Sequence, residues 1–341
     1  MSTVLKGTVL KVDGLSVTFA LDDRRVAVVD QVSFDLEAGE IVGLVGESGC
    51  GKTTTGAALL GLVPKPAGRV AADQMLLAEQ DLMALDEAGW QRIRGSSISM
   101  IFQEPLTALD PVFTIGSQLL EVISRHRSRQ DARKLASGML DTIGVADSQR
   151  IMHSYPHELS GGMRQRVLIA MAMCCHPRVL IADEPTTALD VTTQAQILQQ
   201  IRALARDIGT AVLLITHDLD VVAQACDRAL VMYCGRIVEH GPVDALFSQP
   251  RHPYTAGLLA ALPRLSVGPV LPVETIPGSV PGLAQLPAGC HFHNRCVRAL
   301  QVCQEQVPRL CAAAQSGPAG MQPRSGHFHA CHHPLETGSL L

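Results

Sequence analysis

A chain of 341 residues exceeds one small domain and suits a single core with an appended module. With 47% hydrophobic, 18% charged and only 3% aromatic residues, it reads as a globular protein whose core is aliphatic. A net charge of −4 without a dense basic stripe gives no electrostatic reason to expect nucleic-acid binding.

Residues 1–13 lack the charged-then-apolar pattern of a signal peptide. Residues 15–19 and 32–36 alternate and predict strands, with a turn at 22–25 between them. After Ala38-Gly39, residues 40–45 form the short apolar run of a buried strand. A glycine-rich loop follows, and a helix starts at Lys52. Residues 104–175 read as mainly helical, with Leu119, Leu120 and Ile123 on one face and Leu135, Met139, Leu140 and Ile143 on another. Buried-strand runs return at 179–182 and 211–216, separated by a helical pattern over 191–208. That alternation predicts an α/β core. The longest apolar stretch, 167–182, is broken by His176, Pro177 and Arg178, short of the ~20 residues a bilayer demands. The chain is therefore expected to be cytosolic, or peripheral to a membrane through a partner. Pro- and Gly-rich sequence over 263–287 marks a domain boundary, and 312–326 reads as a loop. No internal repeat is visible.

The segment Gly46-Glu47-Ser48-Gly49-Cys50-Gly51-Lys52-Thr53 fits a phosphate-binding loop, placed between a buried strand and a helix. Its glycines let backbone N–H groups converge on phosphate oxygens, and the helix N-terminus adds a positive dipole end. Lys52 suits the β- and γ-phosphates, and Thr53 suits Mg²⁺. The alternative is a plain glycine turn. Farther on, an apolar strand ends in Asp183 and Glu184. Asp183 suits Mg²⁺ and Glu184 suits a general base acting on water. Acidic strand ends are common, so this pair gains meaning only beside the loop. Ser160-Gly161-Gly162 opens a helix; Ser160 alone reads as an N-cap, yet the bare N–H groups also make a second anion site. His217, after the strand 211–216, lies on the ligand side of an α/β sheet. Gln103 is a possible Mg²⁺ or water ligand.

Taken in this order, residues 15–250 resemble the ABC ATPase family. Residues 46–53 are similar to its Walker A loop, Gln103 to its Q-loop glutamine, and 159–166 to its Leu-Ser-Gly-Gly-x-x-Gln-Arg signature. Asp183 and Glu184 resemble the Walker B pair, Ala188-Leu189-Asp190 the D-loop, and His217 the switch histidine. The resemblance implies a P-loop NTPase with a RecA-like core, an antiparallel β-subdomain and a helical subdomain near 104–173. It implies ATP contacts from Phe19 (against adenine), Gly46, Glu47, Ser48, Gly49, Cys50, Gly51, Lys52, Thr53 and Thr54. Ser160, Gly161, Gly162 and Asp190 would serve a second nucleotide across a head-to-tail dimer. Mg²⁺ would meet Thr53, Gln103 and Asp183; Glu184, His217 and Gln103 would be catalytic. Cys50 stands where a small Ser is commoner, an expected point of thiol sensitivity.

The rest of the chain resembles the C-terminal extension of oligopeptide and dipeptide importers. The resemblance rests on Arg251-His252-Pro253-Tyr254-Thr255, on 258–263, and on Gly289-Cys290-His291-Phe292-His293-Asn294-Arg295-Cys296, continuing to Cys303 and Pro308. It divides the chain into an ATPase domain, 1–250, and an extension, 251–341. It implies a second, related ATPase subunit, two membrane permease subunits, an extracytoplasmic solute-binding protein, and a place on the cytoplasmic face of the membrane. Alternatives are a nickel or other small-solute importer, a soluble ABC protein of translation or DNA repair, and an ATP-binding regulator without turnover.

Five of the ten cysteines crowd the final segment, where metal is a better reading than disulfides for a cytosolic chain. Their spacing is wider than the paired zinc pattern. The resemblance implies a [4Fe–4S] cluster on Cys290, Cys296, Cys303 and Cys331. Zinc is the alternative, since His291, His293, His327, His329, His332 and His333 lie near, and free thiols are the third reading. Cys311 is surplus.

Overall fold

The computed structural model describes residues 7–21, 24–103, 108–187, 189–262, 276–313 and 326–336. Part of the expected 22–25 turn, Ala188 of the D-loop-like segment, residues 104–107, and most of the 263–287 and 312–326 stretches lie outside these residues.

Two sheets share the core. In the first, β1 (Thr8–Leu21) pairs antiparallel with β2 (Arg24–Glu37), each far longer than the alternating cores read from sequence. Strands β4 (Gly68–Ala71), β5 (Gln74–Leu77) and β6 (Gln80–Asp81) complete it. Leu10, Val12, Leu15 and Val17 are buried along β1. The Leu10–Val12 and Leu15–Val17 pairs keep period 2, and the irregularity between Val12 and Leu15 lets one strand serve the same core twice.

The second sheet carries the chemistry. Its order is β12-β13-β11-β10-β3-β9-β8-β7, where β12 is Cys311–Ala312 and β13 Phe328–His329. Here β3 is Ile41–Val45, β7 Ile98–Ile101, β8 Val179–Asp183, β9 Ala211–Thr216, β10 Arg228–Tyr233 and β11 Arg236–Pro242. The pairs from β10 through β3, β9 and β8 to β7 are all parallel. Every residue of β3, β8 and β9 is buried, as their unbroken apolar runs require. Register sets Val45 beside Thr216 and Ile215 beside Asp183, so three strands end at one edge. The residues that follow them in sequence therefore meet.

The helices Ile115–His126, Arg129–Thr142, Ser148–His153 and Gly161–Met173 form the expected helical block. Leu119, Ile123, Met139, Leu140 and Ile143 are buried, while Leu120 and Leu135 are partly buried against the same cluster.

Among the described residues, those of the C-terminal region form no separate core. Two short strands, β12 (Cys311–Ala312) and β13 (Phe328–His329), extend the second sheet from β11. Tyr254 and Phe292 are buried in the cluster that also contains Tyr233. Among the described residues no helix is long and apolar enough to cross a membrane.

Candidate active site

The loop 46–51 bends back to launch the helix Lys52–Leu59. Gly51 sits at φ +108°, and a Cβ there would lie 2.6 Å from the Val28 carbonyl, so only glycine fits. Ser48, Gly49 and Thr53 are exposed at the crest, while Lys52 is buried at its base. Lys52 Nζ donates to the carbonyls of Gly46 at 2.7 Å and Glu47 at 3.0 Å. Thr54 follows on the first helical turn. Cys50 is buried, and burial pushes its thiol above the usual value, only partly opposed by Lys52. A buried, protonated thiol is a poor nucleophile, so the expectation of thiol sensitivity at Cys50 is not supported.

Thr53 Oγ1 donates to Asp183 Oδ1 at 3.3 Å, joining the loop to the end of β8. Burial raises the Asp183 carboxyl, with the Thr53 hydrogen bond and Lys52 opposing and Glu184 adding. These oxygen donors, clustered beside the loop, suit a hard divalent cation such as Mg²⁺.

Glu184 adopts φ +47°, in the left-handed region that a non-glycine residue enters at a cost. Its amide donates to Ile215 O at 2.8 Å, which pins that geometry to β9. Its carboxylate collects three side chains. His217 Nδ1 lies 2.8 Å from Oε1. Gln103 Nε2 donates to Oε2 at 3.1 Å, and Thr187 Oγ1 donates to the same oxygen at 2.9 Å. A carboxylate only accepts, so the His217 proton sits on Nδ1. Burial alone would raise Glu184, but the bonds to His217 and Thr187, with the charges of His217 and Lys52, hold it below the usual glutamate value. The group is thus ionised at neutral pH. Gln103 is joined to Glu184; no hydrogen bond between it and Thr53 or Asp183 is present among the described residues. Thr187 escaped the sequence reading, although its position three residues past Glu184 in a turn was a usable signal.

The Ser160 hydroxyl accepts from Met163 N at 3.3 Å, so the N-cap reading holds. Among the described residues no hydrogen bond joins 160–162 to the loop 46–54. Instead a Cβ on Gly162 would meet Thr193 at 3.0 Å, which places this helix start beside the helix Val191–Ile208. Asp190 caps that second helix, accepting from Thr193 N at 2.9 Å. Phe19 is half-buried on β1 with its ring against Gly68.

Cys290, Cys296, Cys303 and Cys331 are all free, Cys303 buried and the other three half-buried. Burial raises Cys290 and Cys296, and pushes Cys331 up to about 12; neighbouring thiols of the four add to each. Cys290 N donates to Cys303 O at 2.8 Å. As placed, however, no group of three or more His, Cys, Asp or Glu among the described residues is arranged to hold a metal ion. Several histidines are taken by other partners: His291 by Cys234 O, His293 by Cys290 O, His327 by Glu239 and His332 by Gln306 O. Cys311 lies apart, 3.8 Å from His329 Nδ1.

Residues 29–187 match the ABC transporter family, and 238–303 match the family described as oligopeptide/dipeptide transporter, C-terminal region. The oligopeptide transport ATP-binding protein AppD of Bacillus subtilis (strain 168) is 47% identical over 305 residues, covering 89% of this chain and 93% of that protein. The oligopeptide transport ATP-binding protein OppD of Escherichia coli (strain K12) is 44% identical, covering 96% and 94%. Among solved structures, the ATP-binding cassette MJ0796, dimeric and bound to ADP and Pi after hydrolysis, superposes with a TM-score of 0.59. It is 26% identical and covers 69% of this chain and 98% of that one.

Proposed function

The chain belongs to the ATP-binding subunits of ABC-type oligopeptide and peptide transporters, and from that premise we propose how its residues bind ATP, hydrolyse it and couple it to import. The observation that carries the reading is Glu184, ionised, strained, and held by His217, Gln103 and Thr187 beside the loop 46–54.

Lys52 and the loop amides take the β- and γ-phosphates, and Lys52 leaves its two loop carbonyls to do so. Thr53 and Asp183, with Gln103, would hold Mg²⁺, which would neutralise phosphate charge. Glu184 accepts the proton of the attacking water, and His217 keeps its carboxylate aimed. Phe19 stacks on adenine. Ser160, Gly161, Gly162 and Asp190 serve the nucleotide held by the partner's loop. That division makes the working unit a head-to-tail sandwich with a second, related ATPase subunit.

We assign 1–250 to the ATPase domain, 104–173 to its helical subdomain and 251–341 to the extension. Two permease subunits and an extracytoplasmic solute-binding protein complete the importer, and this chain sits peripherally on the cytoplasmic face of the membrane. A mainly apolar groove of about 380 Å³ supports permease docking; its lining includes Leu62, Phe102, Ala108, Val122 and Met171. The nickel and non-transport alternatives lack such support from the relatives. ATP-dependent uptake of labelled dipeptides and oligopeptides by vesicles carrying the assembled transporter tests the reading. Uptake of Ni²⁺ with no peptide uptake would overturn it.

A [4Fe–4S] cluster on Cys290, Cys296, Cys303 and Cys331 is proposed from the resemblance of 289–308 to the importer extension alone, since as placed these thiols form no metal-holding group among the described residues. Anaerobically purified protein is expected to absorb near ~400 nm. Colourless protein with stoichiometric zinc and no iron would refute the cluster.

A further inference from the structure

The second residue of the phosphate loop is gripped from the far end of the chain. Glu47 N–H donates to the Tyr254 hydroxyl at 2.9 Å. The Glu47 carboxylate receives two parallel bonds from Arg295, Nη1 to Oε2 at 2.8 Å and Nη2 to Oε1 at 3.1 Å. The Glu47 carbonyl is one of the two that accept from Lys52. Each polar group of Glu47 is therefore used, two of them by residues more than 200 positions downstream.

Neither anchor is free to drift. Tyr254 is fully buried and packs on Tyr233 with ring centroids 4.7 Å apart and on Phe292 at 5.4 Å. Arg295 is 7% exposed. Its Nε donates to Pro277 O at 2.9 Å and its guanidinium lies over the Tyr233 ring, 5.8 Å from the centroid. A guanidinium this buried tolerates the loss of its carboxylate poorly. The planar fork also fixes carboxylate orientation in a way an ammonium does not. Above this anchor the crest at Ser48 and Gly49 is open, and nothing lies within 4 Å of a Cβ built on Gly49.

We propose that Arg295, assisted by Tyr254, is a positioning residue for the ATP site, holding Glu47 so that the loop carbonyls and Lys52 keep their phosphate-ready geometry. The C-terminal region is on this view part of the nucleotide site's support and not only an appendage.

The test uses the full-length chain, with Mg-ATP affinity from titration of a fluorescent ATP analogue and steady-state kinetics in the assembled transporter. Arg295→Met is expected to weaken Mg-ATP binding about tenfold and raise KM similarly, with kcat falling less than about threefold. Arg295→Lys recovers part of the affinity. Glu47→Gln weakens binding as well, and the double variant is no weaker than Glu47→Gln alone, the non-additivity of a direct pair. Affinity within about twofold of wild type in Arg295→Met, with only a lower melting temperature, would reduce the residue to a structural role and overturn the proposal. So would fully additive losses. If Arg295→Met does not fold, Tyr254→Phe decides: it removes one acceptor and keeps the ring. Weaker Mg-ATP binding at near-unchanged melting temperature supports the proposal, and unchanged binding defeats it.

Discussion

Replacing Glu184 by glutamine is expected to leave Mg-ATP binding nearly intact and to lower turnover about 100- to 10,000-fold. The two side chains have the same shape, and the amide oxygen still accepts from a neighbour. Thr53, Asp183 and Lys52, the proposed phosphate and Mg²⁺ residues, make hydrogen bonds that do not involve Glu184. What disappears is the proton acceptor. The new amide also presents N–H groups on one side of a carboxylate to which His217, Gln103 and Thr187 all donate, so at least one of the three bonds is lost. Bound ATP then persists, and the proposed sandwich with a second ATPase subunit is expected to stay closed, visible as a nucleotide-dependent heterodimer in size-exclusion chromatography. The pH profile gives an independent reading. Burial would raise Glu184, and its hydrogen bonds and neighbouring charges overcome that. The base form is therefore present above a lowered folded value, and kcat loses its Glu184 contribution only as pH falls below the ordinary glutamate range. Unchanged hydrolysis in the Gln variant would remove Glu184 from the base role.

Glu239→Leu is expected to destabilise the fold by about 3–5 kcal/mol. Glu239 is fully buried on β11, yet it is the hub of the C-terminal region. It accepts from Arg251 N at 2.6 Å, His252 N at 2.9 Å and His327 Nε2 at 2.7 Å. Leucine fills much of the volume but leaves two amides and an imidazole without their acceptor at a buried position. Chemical denaturation compares the two midpoints directly; a loss below about 1 kcal/mol would refute the hub reading. Acid has a related effect. Burial opposes ionisation of Glu239, but His327 and the two amides hold its folded value below normal. Its stabilisation is present above the unfolded glutamate value and lost as pH falls through the folded one. Burial lowers His252 to about 4, so its neutral form is favoured by folding, and that contribution fades as pH drops below about 6.5 toward 4. Both signs agree, so wild-type stability falls on acidification, with the histidine effect first.

Much of the site was legible because its residues carry local signatures. The glycine spacing before Lys52, the carboxylates after 179–182 and the histidine after 211–216 each report a strand end from a few neighbours. The helical faces at Leu119 and Ile123, and at Met139 and Leu140, followed from periodicity alone. Strand lengths were less legible: β1 and β2 outrun their alternating centres because bulges interrupt the period. The bond from Gln103 to Glu184 could not be read, since it depends on where a loop side chain turns, whereas Thr187 offered a signal in its place in the turn after Glu184.

The sequence by itself determined that a phosphate loop, a carboxylate pair, a capped Ser-Gly-Gly helix and a cysteine-rich tail exist, because each is a pattern of adjacent residues with its own chemistry. Only the tertiary structure decided which of them meet. The order β3-β9-β8 brings 46–54, Glu184 and His217 to one edge, while Arg295 and Tyr254 reach back to Glu47 across more than 200 residues. Contacts at that separation are selected by burial and hydrogen-bond satisfaction over the whole chain, and no local window of sequence contains them.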